Sequence, residues 1–446
     1  MIGNFFLGIF YILPLTFSKN KRLISWKSIL SGLEVKILKK FFRGMAVVAG
    51  VAACFILSFC GTASYHLPDS YRITPTCATT MNKFLTLKQK SDSAITADSR
   101  KDGAPTYSAD VSFMNIIPIK RVNIQKIEDA YVAPGGDPFG VKLFTKGVII
   151  VGISDVKTSD GVFNPAKQAG LQKGDIILTV NKKEVSSNEE LIKLVEASNG
   201  EEMSAEVVRN GMKYEAKMRP VHGEDGTYKL GIWVRDSSAG IGTVTFWDEK
   251  THLFGGLGHG ICDIDTGELL PLSHGDLIKV KINDIAKGIK GNPGELKAYF
   301  IECEPIGKLI QNTYSGIYGR YSHALSSKEP VKIAMKQQVK EGKAQILTTI
   351  TGTTPEPYDI DITHINYNEE LASKNMIIKI TDENLLSQTG GIIQGMSGSP
   401  ILQNGMLVGA ITHVFVNDPQ KGYAIFAENM ISKIQEMDIT GHKKIS

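Results

Sequence analysis

Cysteine is scarce in these 446 residues: only Cys54, Cys60, Cys77, Cys262 and Cys303 occur. Two share one apolar segment and the others stand far apart, with no C-x-x-C pair. Neither a disulfide framework nor a zinc site follows from that pattern. Acidic residues are nearly missing from the first 45 positions, where Glu34 stands alone among many Lys and Arg. That run accounts for the net charge of +4; the remainder is near neutral or slightly acidic, so nucleic-acid binding gains no support. A comfortable membrane-length run is lacking too. Met45–Phe59 is continuously apolar for 15 residues, short of the roughly 20 that span easily, though Cys60–Ala63 extends it.

What is present begins with positive charge ahead of that apolar core, the pattern of a signal peptide or signal anchor. Gly61-Thr62-Ala63 supplies small residues suited to cleavage, so anchor and cleaved signal both stay open. Met1–Phe17 is apolar but broken by Pro14; it reads as a second membrane contact, or as an extension upstream of a start near Met45. Residues 1–63 are thus a signal or anchor region. Residues 64–115 are polar and aperiodic and read as a flexible linker open to proteolysis.

A PDZ domain is expected over residues 116–222. Asn164–Asn181 gives a short helix, Gly170-Leu171, a Lys173-Gly174-Asp175 turn, an apolar strand and an Asn-Lys turn. Ser187-Asn188-Glu189-Glu190 is a capping box opening a helix, with Leu191, Leu194 and Val195 on one face. Such a helix flanks a groove in which an extended peptide adds as a strand. Gly140, Val141, Lys142 and Leu143 are the candidate loop for a peptide carboxylate.

Residues 223–440 read as many short strands with Gly and Pro turns, an all-β barrel architecture. Gly391–Pro400 is a Gly-x-Ser-Gly-Ser-Pro turn centred on Ser397. Its glycines let the chain bend sharply and can aim the N–H groups of Gly395 and Ser397 at one point, as an oxyanion hole requires. Chymotrypsin-like proteases set their nucleophile in such a turn. Gly258-His259-Gly260 places one histidine among glycines, where a second loop can approach the ring, as a general base needs. Seven aspartates lie between them: Asp263, Asp265, Asp276, Asp284, Asp359, Asp361 and Asp382. Spacing does not choose among them, although Asp382 sits just before the serine turn.

Phe254–Ile261, Gly391–Pro400 and the PDZ block on one chain resemble the SpoIVB family of sporulation serine peptidases. Asp236–Thr243 and Gly409–Val414 belong to the same likeness. The resemblance implies a mainly β chain: an N-terminal anchor helix, an α+β PDZ domain and a chymotrypsin-like double barrel. It implies Ser397 as nucleophile, His259 as base and Asp382 as third member, with no metal or organic cofactor. It further implies export to the space outside the forespore inner membrane, self-cleavage, and a cut in a membrane-embedded regulatory complex. That cut would trigger processing of a sigma factor precursor. The rivals are a quality-control protease like HtrA, which carries PDZ after the protease, and an inactive PDZ adaptor.

Overall fold

Two long antiparallel strands, Pro138–Ile153 and Ile232–Asp248, organise the chain. A computed structural model describes residues 23–76, 85–89, 106–301, 304–322, 328–367 and 373–443. Met1–Phe17 falls outside them. Residues 1–65 and 66–446 form two separate compact units.

The first unit carries one helix, Leu23–His66, whose stretch Lys39–Ser64 is 26 residues long and apolar. At 1.5 Å per residue it is about 39 Å long, more than the roughly 30 Å of a bilayer core. The helix therefore outruns the 15-residue apolar core of the sequence because Lys39–Gly44 and Gly61–Ser64 continue it without a break. It is long and apolar enough to serve as a membrane anchor or signal.

The linker expected over 64–115 requires correction. Ser70–Ile73, Leu85–Gln89, Thr106–Phe113 and Ile117–Lys126 form a four-stranded sheet, with Ile117–Lys126 between the first and third. Tyr71, Leu87, Ala109, Val111, Val122 and Ile124 are buried together on it. Met114 and Asn115, at φ 48° and 63°, turn the hairpin between the last two strands. The polar residues that suggested a linker alternate with this apolar set, as one-sided strands require. Residues 77–84 and 90–105 lie outside the described residues.

The two long strands each serve two domains. Residues 148–149 of the first pair with Ile176–Ile177 of the PDZ fold, while residues 139–145 pair with Leu272–Lys279 of the first β lobe. The PDZ core gathers Val148, Ile150, Ile177, Val180, Leu191, Val207 and Leu230. The first lobe buries Phe139, Leu143, Trp247, Phe254 and Leu277. The second lobe, built from strands between Val331 and Phe426, buries Ile346, Ile360, Ile378, Met396 and Ile411. The boundary expected at residue 222 falls ahead of the strand Ile232–Asp248, which pairs along the whole of the first long strand. The PDZ fold is set into the first lobe through the ribbon itself, with no linker.

Candidate active site

Ser397 comes from the second lobe and His259 from the first, and the turns that carry them meet between the lobes. Gly398, at φ 96°, packs so closely that a β-carbon there would lie 2.0 Å from the Thr243 carbonyl. Only glycine tolerates both that backbone and that approach. Thr243 N–H donates to the Ser397 carbonyl at 2.9 Å, and its hydroxyl donates to the Gly395 carbonyl at 2.8 Å. Thr245 Oγ1 donates to the Gly398 carbonyl at 2.8 Å. The carbonyls of the turn are therefore all turned inward and satisfied. The N–H groups of Gly395 and Ser397 find no acceptor among the described residues, which leaves two donors for an oxyanion.

The Ser397 hydroxyl donates to the Thr412 carbonyl at 2.7 Å. The next residue, His413, lays its ring against His259, centroids 4.7 Å apart and planes tilted by 36°. Nδ1 of His259 lies 2.9 Å from the Gly260 carbonyl. A carbonyl only accepts, so Nδ1 carries the proton and Nε2 of the neutral ring keeps its lone pair, ready to take a proton. Burial pushes the His259 pKa down, against the opposing pull of the Gly260 carbonyl. His413 is pushed down to about 4 by desolvation, then by the charges of His259 and Lys374. The side chain of His413 keeps an exposed edge, so the close ring contact with His259 is the firmer reason for its neutrality. Two imidazoles in such close contact do not both accept a proton easily.

Asp382 departs from its expected place. It caps the helix Glu383–Thr389, accepting the Leu385 N–H at 2.9 Å and, at 3.5 Å, that of Asp359. It makes no hydrogen bond to His259; the Gly260 carbonyl holds Nδ1 instead.

Several residues at the site were given no role by sequence reasoning. Thr243 and Thr245 lie in a β strand and look like ordinary core-facing threonines. Thr412 and His413 lie in an apolar strand, and only the isolated histidine there could have drawn notice. Asn312 accepts the Ile261 N–H at 2.8 Å and donates to the Ile261 and Leu270 carbonyls at 2.8 and 2.9 Å. It closes the neck of the hairpin that follows His259.

The peptide groove also requires correction. Gly140, Val141, Lys142 and Leu143 lie mid-strand, paired on one side with Ser238–Ile241 and on the other with Gly275–Ile278. Their backbone groups are committed to the sheet and cannot receive a peptide terminus. A groove of about 580 Å³ lies instead between the helix Asn188–Ala197 and Leu230–Val234, with Leu191, Ile192, Val195 and Trp233 in its walls. Ile232–Val234 pairs with Ile150–Ile153 on one edge and has no strand partner on the other among the described residues. An added strand fits there. Ser187 caps the helix as expected, accepting the Glu190 N–H at 3.2 Å, while Glu190 reaches back to accept the Ser186 N–H at 2.7 Å.

No group of three or more His, Cys, Asp or Glu side chains is arranged to hold a metal among the described residues.

Comparison with known proteins agrees with this division. Residues 226–431 match the family described as SpoIVB peptidase S55, and residues 164–209 match the PDZ domain. A solved PDZ domain of an SdrC-like protein from Listeria monocytogenes is similar at 20% identity, over 20% of this chain and 87% of that one. Its TM-score is 0.17, too low to add to the argument.

Proposed function

The chain is a SpoIVB-type serine peptidase with a PDZ domain, and from that premise we propose that it is a membrane-tethered signalling protease of sporulation. Ser397 attacks a peptide carbonyl while Nε2 of His259 takes its proton and later delivers it to the leaving amine. The Gly395 and Ser397 N–H groups receive the oxyanion. For attack the Ser397 hydroxyl must give up its Thr412 acceptor for the imidazole. Apolar walls and an open strand edge suit the groove to an extended peptide segment of a partner or substrate.

The observation that carries this reading is the serine turn: its carbonyls are pinned inward and two N–H groups are left open beside the hydroxyl. The finer function follows the family. The peptidase first cleaves itself near the N-terminus, then cuts a membrane-embedded regulatory complex from outside the forespore inner membrane. The cut leads to maturation of a sigma factor. A protease set beside a membrane needs no broad substrate range, and the PDZ groove would choose the target.

The test is mass spectrometry of the full chain after incubation, beside Ser397→Ala. Fragments cut between the anchor helix and the strand at residue 106, seen only with the intact serine, support self-cleavage. Identical fragments from both proteins sink it.

A further inference from the structure

The PDZ groove and the candidate base are joined by two adjacent residues. Arg235 and Asp236 sit in the long strand Ile232–Asp248, where its register to Pro138–Ile153 shifts twice, after Trp233 and after Arg235. They directly follow Ile232–Val234, the wall of the groove. Their side chains reach in opposite directions.

Asp236 faces the PDZ side. Its carboxylate accepts the N–H of Asn188, the first residue of the groove helix, at 2.9 Å. Arg235 faces the peptidase. Its guanidinium donates to Asp263 and, at 2.7 Å, to Asp265. The Asp263 side chain has 0% exposure. Its other oxygen accepts the N–H groups of Asp265 and Thr266 at 3.0 and 2.8 Å, folding the tip of the hairpin that begins at His259. Burial alone would raise the Asp263 pKa, but the Thr266 N–H and Arg235 hold it below the usual carboxylate range. An ionised carboxylate so buried needs its cation: removing the partner from such a pair is strongly destabilising.

We propose that Arg235 is a positioning residue for the peptidase reaction, holding the His259 hairpin from the wall of the PDZ groove so that the state of the groove reaches the base. The inference rests on His259 being the base. The path is short. The groove helix fixes Asp236, the strand shared with the groove fixes Arg235, and Arg235 fixes Asp263, four residues beyond His259. Asn312 holds the neck of the same hairpin through Ile261 and Leu270, whereas Arg235 holds its tip from the strand that walls the groove. A ligand in the groove can shift this equilibrium only through contacts that differ between clamped and released states. Ile232–Val234 and the start of the helix are where such contacts fall.

The test uses the full chain in detergent micelles and two readouts. One is the rate at which a fluorophosphonate labels Ser397. The other is hydrogen exchange of residues 259–270. Arg235→Met is expected to slow labelling by about ten- to a hundredfold, the scale of a misplaced catalytic group, and to raise exchange in that hairpin. Arg235→Lys keeps the charge and restores part of both. Asn188→Pro deletes the N–H that Asp236 holds, together with the Asn188 carboxamide at the groove. Proline is accepted at a first helical position, and Ser187 before it is already extended at φ −143° and ψ 158°. It should slow labelling about threefold in the wild-type background and hardly at all beside Arg235→Met, the non-additivity of residues in one network. Asp236→Ala, which removes the same contact from its other end, should behave alike.

Wild-type labelling and exchange in Arg235→Met would overturn the positioning role. An equal effect of Asn188→Pro in both backgrounds, or none in the wild type, would overturn the link to the groove. Failure of the wild-type chain to label at all would instead overturn the serine peptidase reading, and exchange would then decide the clamp alone.

Discussion

The two halves of the site are held by different means. The serine turn is fixed by backbone and by buried threonines: Thr243 and Thr245 satisfy three of its carbonyls, and Gly398 admits no side chain. The histidine hairpin is fixed by side chains at two points, Asn312 at its neck and Arg235 at its tip. A turn locked by neighbouring strands moves only if the lobes move. A hairpin tethered by side chains shifts when one tether changes. The proposed nucleophile is thus held by backbone pairing between strands, and the proposed base by side-chain tethers. Control of the reaction is easier to build on the second.

The largest effect expected is on the serine side. Ser397→Ala should abolish self-cleavage, a loss on the order of 10⁴ to 10⁶ in rate, while thermal stability hardly changes. The hydroxyl gives up only one hydrogen bond, to the Thr412 carbonyl. A fragment pattern unchanged from wild type would move the nucleophile elsewhere.

On the histidine side the effect should be smaller and graded. Asn312→Ala frees the Leu270 carbonyl and the Ile261 N–H, while the Ile261 carbonyl keeps the Leu270 N–H. Phosphonate labelling should fall by about ten- to a hundredfold, with a melting temperature lowered by the equivalent of about 1–3 kcal/mol for the unsatisfied groups. If the rate held while stability fell, the hairpin would not govern the base, and the contrast between the two halves would be lost.

Acid sharpens the comparison further. Both imidazoles have pKa values below the ordinary 6.5, His413 at about 4. The unfolded chain then binds more protons than the folded one between about 4 and 6.5, so stability falls as pH falls through that window and levels off beneath it. His413→Gln should remove part of this loss, seen as a flatter dependence of melting temperature on pH between 7 and 4. An unchanged slope would mean that His413 titrates normally.

The turns of Ser397 and His259, which the fold brings near each other, stood out in the sequence because glycines beside a lone serine or histidine write a backbone requirement in residue types. The PDZ core was legible for a similar reason: the turn at Lys173-Gly174-Asp175 and the Ser187 cap have local signatures. The groove wall was not. Ile232–Val234 opens a strand that continues into the peptidase, so its pattern reads as barrel, while Gly140–Leu143 offered a glycine without a free backbone. The sheet over residues 70–126 was hidden in the same way. Its strands bury one face only and are separated by polar segments, so no window shows a strong period. Contacts between distant segments, such as Arg235 with Asp263, leave no mark in one sequence.

Asp382 carries the smallest effect and the clearest division between sequence and structure. An aspartate before a short helix reads equally well as a cap or as the third member of a triad. Here its carboxylate accepts the Leu385 N–H, as a cap does, and His259 is oriented through the Gly260 carbonyl. Asparagine caps a helix about as well as aspartate, whereas alanine costs roughly 1 kcal/mol. Asp382→Asn should therefore keep both stability and the labelling rate of Ser397, and Asp382→Ala should lose about 1 kcal/mol with a rate within a fewfold of wild type. A triad member behaves otherwise. Asparagine in its place would favour the wrong tautomer of the base and slow the reaction by about 10⁴ at unchanged stability. A collapse of labelling in Asp382→Asn would show that the carboxylate leaves its cap to join the base when substrate binds. The serine turn, close behind the capped helix, would then depend on a side-chain tether as well.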